Sequence, residues 1–430
     1  MRILEVSRYK SNFADHQLPF VTEQGQAIAR ELRNRVNSEK LTVKSGEPSA
    51  VEYFLVKGNY IKAVGALKAK LREFQPDIVH AHFRLSAITA ELQSSVPVVT
   101  TFHNGETLNW HVNLMSSLMS LRAKHVIYVA QHIRDLSYFK AKHYSIIPCG
   151  VPMEQMTIIP KDEARRQLGW DPDKKYILFG GAFANTRKNY ALLRDAVEKL
   201  YENYKENTSG ENSNYNIENQ KNIKKIEESS DIENISTSLD QQSANEQDSL
   251  LTSAQSCSTD IVSQSLSDDS STKNKKNILS VADKKQWTPV EGGEMYGDVV
   301  CIEMKGLTRE ECVLRMCAAD LFALPSHREG SPQALKEAMA VNCPCLATDI
   351  ADVRELFGDE PGHWILRNPR KTHERWDGDE KSLDEMVDLL REALSFSGRT
   401  HGRQRILALE LSNEQVAQRI IQIYEDILKD

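Results

Sequence analysis

Asp320-Leu-Phe-Ala-Leu-Pro-Ser-His-Arg-Glu-Gly-Ser-Pro-Gln-Ala-Leu-Lys-Glu-Ala-Met-Ala340, followed by Val341-Asn-Cys-Pro-Cys-Leu-Ala-Thr-Asp349, decides the fold of this 430-residue chain. Two apolar runs, Leu321 to Leu324 and Cys345 to Ala347, read as short buried strands. Between them Leu335, Ala338 and Met339 recur at helical spacing. Ser331 is expected as the N-cap, its hydroxyl accepting from a first-turn N–H, with Pro332 at the first helical position. Asn342 tolerates the left-handed position that ends a helix, and Pro344 stops continuation. The order is strand, loop, helix, strand: a βαβ unit.

Glu337 falls opposite Leu335 and Met339 on that helix, and Glu329 stands in the loop before it. The two carboxylates bracket a helix N-terminus, whose dipole and N–H groups favour an anion. By spacing alone, two such glutamates are more often solvated surface charges.

Working outward, the same alternation continues. Ile3 to Val6 is a strand, followed by a loop with Phe13 to Pro19 and a helix over Thr22 to Arg35. Val51 to Val56 is a strand, and Lys57 to Phe74 has helical spacing at Ile61, Val64, Leu67 and Leu71. Pro76 to Phe83 and Pro97 to Phe102 are strands with polar ends; His80, His82 and His103-Asn-Gly-Glu lie there. Open α/β sheets bind ligands at the carboxyl edge, so these histidines are site candidates, although a histidine after a strand also serves structure. His125 to Val129 and Tyr144 to Ile147 complete a first sheet, which ends at Pro148-Cys-Gly-Val-Pro.

A second series starts with Tyr176 to Gly181. Asn185-Thr-Arg-Lys-Asn and a helix over Tyr190 to Leu200 follow. A glycine strand end, basic residues and a helix start form a phosphate-site arrangement. Residues 202–285 are rich in Asn, Ser, Glu and Lys without apolar period and are expected to be a disordered insertion. Val299 to Ile302 resumes the sheet, Thr308 to Ala319 is helical, and the opening stretch follows. Beyond it come a helix over Asp352 to Phe357, a strand over Gly362 to Leu366, a charged loop over Lys371 to Lys381, and amphipathic helices over Leu383 to Phe396 and Leu411 to Leu428.

Composition sets outer bounds. The length fits two domains, and 40% hydrophobic residues allow real cores. A net charge of −7 argues against a general nucleic-acid binder. Residues 1–150 nevertheless hold 19 Lys and Arg against 12 Asp and Glu. A basic first half in an acidic chain is consistent with an anionic partner such as a membrane surface, and equally with an ordinary mixed surface. Seven cysteines without metal spacing fit a reduced compartment, with Cys343 and Cys345 buried. No apolar run approaches the ~20 residues of a membrane-spanning helix, and the start does not resemble a signal peptide.

The run Glu329-Gly-Ser-Pro-Gln-x-x-Lys-Glu-Ala-Met-Ala resembles the Glu-x7-Glu signature of the family 4 retaining glycosyltransferases, and Asn342-Cys-Pro its bacterial surface-polysaccharide branch. Similarity extends over Pro76 to Glu106, Ile146 to Val151 and Arg187-Lys188-Asn189, and covers nearly everything outside the insertion. It implies the glycosyltransferase B (GT-B) architecture: two Rossmann-like α/β domains facing a cleft. Residues 1–150 would be the acceptor-side domain. Residues 151–410 would be the nucleotide-sugar domain interrupted by 202–285, and 411–430 a helix crossing back to the first.

The implied activity is transfer of a sugar from a nucleotide diphosphate sugar to a saccharide or lipid-linked acceptor hydroxyl, with retention. By resemblance Glu329 contacts the transferred sugar and His103 orients acceptor or sugar. Arg187, Lys188, Gly330 and Ser331 hold the diphosphate, and Glu337 holds the ribose. No cofactor and no metal are implied; no Asp-x-Asp pair is placed to hold one beside a diphosphate. The expected location is the cytoplasm, with peripheral contact at the inner membrane face. The chain departs from the family in lacking a first-loop Gly-Gly pair, in Asn104 before Gly105, and in Ala182 where many members have Arg. Two further readings are a catalytically degenerate GT-B binding protein and a nucleotide-sugar epimerase of the same architecture.

Overall fold

The opening stretch folds as a βαβ unit: β10 (Leu321–Leu324), a helix over Gln333–Ala340 and β11 (Cys345–Thr348). Both strands are buried at every residue, which is why they read as continuous apolar runs rather than as alternating ones. Leu335, Ala338 and Met339 are fully enclosed beneath the helix. Asn342 has φ of 61°, the left-handed conformation expected where the helix ends.

In the computed structural model the described residues are 1–10, 18–37, 50–93, 95–103, 110–206, 293–368 and 379–429. The expectations for residues 11–17, the turn at 104–106, the insertion beyond 206 and the loop at 371–378 lie outside them; residues 202–206, expected to open the insertion, instead continue the helix that precedes it. Residues 1–201 and 288–430 make up one compact unit, which holds two sheets.

The first sheet contains β1 (Arg2–Arg8), β2 (Ala50–Val56), β3 (Ile78–His82), β4 (Val98–Phe102), β5 (His125–Tyr128) and β6 (Tyr144–Ile146). Its order is β2-β1-β3-β4-β5-β6, and every pairing is parallel. The second contains β7 (Lys175–Phe179), β8 (Gly293–Tyr296), β9 (Val299–Glu303), β10, β11 and β12 (His363–Leu366). Its order is β12-β11-β10-β7-β9-β8. All neighbours are parallel except β8, which lies antiparallel on β9 as an edge. That edge strand, Gly-Glu-Met-Tyr, has too little apolar character to be read from the sequence. These are two Rossmann-like α/β layers, and the loops at the carboxyl ends of their strands are where ligands bind in such sheets.

Two chain crossings join the layers. Val151 N donates to Leu411 O, at 2.8 Å, and Asn413 N donates to Val151 O, at 2.9 Å. Gly150 is required there: a Cβ would stand 2.5 Å from Asn413 Oδ1 and 2.9 Å from its Cα. After the second crossing the helix Asn413–Lys429 packs on the helix Pro19–Asn37. Val416, Ile420, Ile421 and Tyr424 enter a core shared with Ile3, Ile28 and Leu32. Each such large apolar side chain contributes about 1.5–3 kcal/mol when buried.

Candidate active site

The loops after β7 and β10 meet. Lys188 Nζ stands 2.7 Å from Glu329 Oε1, and both side chains are largely buried. Gly181 makes this possible: a Cβ there would be 3.1 Å from Lys188 Cγ, so the glycine clears the lysine's stem. Lys188 sits on a 3-10 turn over Thr186–Lys188 that closes with Asn189 at φ 60°. The backbone of that turn is tied to the Glu329 loop, because Arg187 O accepts from His327 N, at 3.0 Å. The structure therefore brings together Arg187, Lys188, Glu329 and Gly330, from segments some 140 residues apart in sequence.

The start of the site helix differs from expectation. Helical geometry begins at Gln333, with Pro332 in the cap position and no side-chain cap. Ser331 does not cap it. Its Oγ donates to Asp352 Oδ2, at 2.6 Å, and lies 3.2 Å from Lys336 Nζ. A buried carboxylate is a stronger acceptor for the hydroxyl than the first-turn N–H groups are donors to it. The N–H groups of that turn have no intrahelical carbonyl to reach, which leaves them to an anion. Burial raises the Asp352 carboxyl above its usual range, opposed by Lys336 and Ser331.

Lys336 is fully buried and donates to Cys149 O, at 2.6 Å. Burial pulls its ammonium below the usual lysine range, opposed by Cys149, Asp352 and Glu337. Gln333 Nε2 donates to Gly150 O, at 2.7 Å. Two side chains of the site helix thus hold the turn that joins the two sheets.

Glu337 turns from the core as expected, and is met by Arg309. That guanidinium bonds Glu337 Oε1 through one nitrogen and Glu23 Oε1 through another. Glu23 comes from the helix Pro19–Asn37 of the first layer, so Arg309 spans the two layers. Burial raises the Glu23 carboxyl above its normal range, with Arg309 opposing. The sequence offered no signal for this pairing beyond a first-turn Arg after the helix cap Thr308.

His80 and His82 do not present free tips. Both are fully buried within β3. His80 contacts Tyr424 Oη at 2.6 Å and Thr101 Oγ1 at 2.7 Å. His82 Nε2 lies 2.6 Å from Glu5 Oε2, and its Nδ1 lies 3.0 Å from His103 Nε2. His103 Nδ1 is 3.3 Å from Cys149 Sγ. With Glu5 accepting from His82 Nε2–H, His82 Nδ1 must accept from His103 Nε2–H. A relay Glu5–His82–His103 results, and it fixes the ring of His103. Burial holds the His103 imidazole well below its normal pKa, with His82 and Lys336 adding to the effect. Glu5, His80 and His82 also offer three ligand atoms within 4.8 Å. Each histidine nitrogen already has a protein partner, so the trio reads as a hydrogen-bonded relay.

Beneath the carboxyl ends of β7, β10 and β11, several buried polar atoms have no hydrogen-bond partner: Asn189 Oδ1 and Nδ2, Ser326 Oγ, Thr348 Oγ1 and Asp352 Oδ1. Buried polar groups are nearly always paired, and exceptions concentrate where a ligand or water belongs. From the first layer, His132 donates Nε2–H to Glu329 O, at 3.2 Å. The sequence reading found neither His132 nor Lys336 nor Asp352, because only the tertiary fold brings them to Glu329 and Ser331.

Two Rossmann-like α/β layers, joined by a turn that the site helix holds, are the class this geometry defines. Comparison with known proteins adds the following matches. The Glycosyltransferase Family 4 profile matches residues 25–155, and the Glycosyl transferases group 1 profile matches residues 297–376. The putative teichuronic acid biosynthesis glycosyltransferase TuaC of Bacillus subtilis (strain 168) is 49% identical over 43 residues. That match spans 10% of this chain and 11% of TuaC. The sucrose-phosphate synthase of Thermosynechococcus elongatus superposes with a TM-score of 0.58 at 14% identity, covering 100% of this chain and 99% of that one. Anabaena Alr3699/HepE, solved in complex with UDP and glucose, gives 0.56 at 13% identity over 99% of this chain and 100% of its own. Separate stretches of the chain thus match a family 4 and a group 1 glycosyltransferase profile, and its fold is GT-B.

Proposed function

We propose that this chain transfers a sugar from a nucleoside diphosphate sugar to a hydroxyl of a saccharide or lipid-linked saccharide, with retention of anomeric configuration. The observation that carries the reading is the Lys188–Glu329 pair beside an uncapped helix start, with Glu337 one helical face further on. A cation, helix N–H groups and two carboxylates suit a diphosphate leaving group, a sugar and a ribose in that order. The match to TuaC, whose name refers to teichuronic acid biosynthesis, supports a polysaccharide or glycolipid product.

The anomeric C–O bond to the diphosphate breaks, and negative charge grows on the leaving phosphate oxygen. Preorganised donors stabilise such charge; Lys188, Arg187 and the N–H groups following Gly330 and Ser331 supply them. Glu337 accepts from the ribose hydroxyls. Glu329 accepts from the transferred sugar's hydroxyls and holds it in place. The acceptor hydroxyl attacks on the face the diphosphate leaves, and its proton passes to the departing phosphate oxygen. His103, held neutral by its enclosure, positions the wall against which sugar and acceptor lie. Arg309 and His132 act at one remove: the first holds Glu337, the second the backbone at Glu329.

A cytoplasmic enzyme in contact with a membrane face fits a lipid-linked acceptor; among the described residues no helix is long and apolar enough to cross a membrane. The test is a thermal-shift screen against UDP, GDP, ADP, CMP and their sugar conjugates. Ligand at a hundredfold excess over its dissociation constant stabilises by about 2.7 kcal/mol. One nucleotide class shifting the wild type, followed by transfer of its sugar to an acceptor, supports the reading. No shift with any nucleotide overturns it. A shift with turnover of the donor but no acceptor product points to an epimerase.

A further inference from the structure

The helix Trp110–Met119 has its polarity reversed. Surface helices normally bury apolar residues and expose polar ones. Here Asn113, Ser116, Ser117 and Ser120, spaced i, i+3, i+4 and i+7, are buried. Trp110, Met115, Leu118 and Leu121 face outward at 56%, 48%, 45% and 51% exposure. The inward polar stripe has a clear structural use. Ser116 Oγ and Ser137 Oγ accept from the fully buried Arg84, at 3.1 and 2.9 Å. Asn113 Nδ2 donates to Leu136 O, at 2.8 Å, and Ser117 and Ser120 donate to carbonyls of their own helix. Nothing in that inner arrangement calls for an apolar outer face.

The apolar face continues onto the adjoining segment. Leu136, Tyr138, Phe139 and Tyr144 are exposed as well, and the Asn113–Leu136 bond sets the two segments side by side. The same stretch of chain carries Arg122, Lys124, Arg134, Lys140 and Lys142, while residues 110–146 contain a single acidic residue, Asp135. An apolar patch of this extent on a soluble domain marks an interaction surface. An apolar centre with a cationic rim is complementary to a bilayer with anionic headgroups: the side chains enter the acyl boundary and the lysines and arginines meet phosphates.

We propose that the face formed by Trp110, Met115, Leu118, Leu121 and the 136–144 segment docks this protein on an anionic lipid surface. Six residues separate Trp110 from His103, so docking holds the His103 side of the site against the membrane. That link to a lipid-borne acceptor rests on the transfer reading; the lipid binding itself does not.

The test is co-sedimentation of the full chain with vesicles of phosphatidylcholine alone and of an equal mixture with phosphatidylglycerol, at low and high salt. Binding is expected to the mixed vesicles and to weaken with salt. Leu118→Glu with Met115→Glu should lower partitioning at least about a hundredfold, about tenfold for each apolar side chain withdrawn. Arg122→Glu with Lys124→Glu should remove the preference for anionic vesicles. Because Met115 and Leu118 are exposed, the thermal midpoint and any nucleotide-induced shift of the Leu118→Glu/Met115→Glu variant should stay at wild-type values; that shift tests the donor site separately. Equal binding of wild type and Leu118→Glu/Met115→Glu, or no binding to mixed vesicles, overturns the proposal. So does a concentration-dependent dimer that the same double variant dissociates, which would assign the face to a second copy.

Discussion

Lys188 Nζ lies 2.7 Å from Glu329 Oε1, and with the bond from His327 N to Arg187 O this contact ties the loop after β7 to the loop after β10. On the proposed reading the pair meets the diphosphate of the donor. The carboxylate holds the lysine in position, and on that reading an arriving phosphate exchanges one oxygen partner for another. The same contact serves folding, because it satisfies two ionic groups removed from solvent.

The two roles can be separated. Lys188→Ala should lower kcat/KM by about 10²–10³-fold, the range for losing one charge-stabilising donor. It should also destabilise the chain by about 3–5 kcal/mol, because Glu329 is left buried without its partner. Lys188→Ala combined with Glu329→Gln removes the stranded charge. Urea unfolding should then show much of the stability regained while transfer stays low. Transfer returning with stability would reduce Lys188 to a structural role.

Glu337 is paired with Arg309 and, through it, with Glu23. If Glu337 accepts from the ribose, Glu337→Ala should weaken donor binding by about 1.5–3 kcal/mol, the worth of hydrogen bonds to a charged group. A donor lacking the 2′ and 3′ hydroxyls should lose the same factor on the wild type and almost nothing further on Glu337→Ala. Calorimetric titration of the four combinations isolates that coupling. Additive losses would show that the carboxylate acts only through Arg309.

How far these assignments could be read beforehand follows from which contacts are local. β10, the helix Gln333–Ala340 and β11 were legible because their apolar spacing and their Gly, Pro and Asn punctuation are local signals. The helix start was missed by one residue, because Asp352 competes for the Ser331 hydroxyl from a loop that sequence proximity does not reveal. His80 and His82 look like strand-end ligands by position, yet they are core groups satisfied by Tyr424, Thr101 and Glu5. Arg309 was invisible for the same reason: its two carboxylates lie 28 and 286 residues away.

His103 is enclosed by His82 and Cys149, and its imidazole is held well below the ordinary range, chiefly by burial. It therefore stays neutral where a solvent histidine, with a pKa of about 6.5, would titrate. His103→Asn should lower kcat/KM by a factor that is the same at pH of about 6 and about 8. Paired pH profiles of the two proteins test this. A ratio that changes through that window would mean His103 titrates in the free enzyme, and the relay from Glu5 would not describe its resting state.

Glu91 provides a stability prediction away from the site. It ends the helix Arg84–Glu91, is almost wholly buried, and accepts a long 3.4 Å contact from Thr100 Oγ1. Burial pushes its carboxyl up to about 8, with Thr100 and Arg122 pulling the other way. The unfolded group ionises near 4.5, so between pH 4.5 and about 8 the folded state binds the extra proton. Stability then falls as pH rises through that window and levels off above it. At 1.36 kcal/mol for each pKa unit, the cost by pH 8 is at most about 4–5 kcal/mol. Glu91→Gln removes the ionisation and keeps the shape. It should be nearly neutral at pH of about 4.5 and more stable than wild type by a few kcal/mol at pH of about 8. Urea unfolding of both proteins at the two pH values measures the difference. Parallel pH dependences would show that Glu91 ionises in the folded chain as it does in the unfolded one.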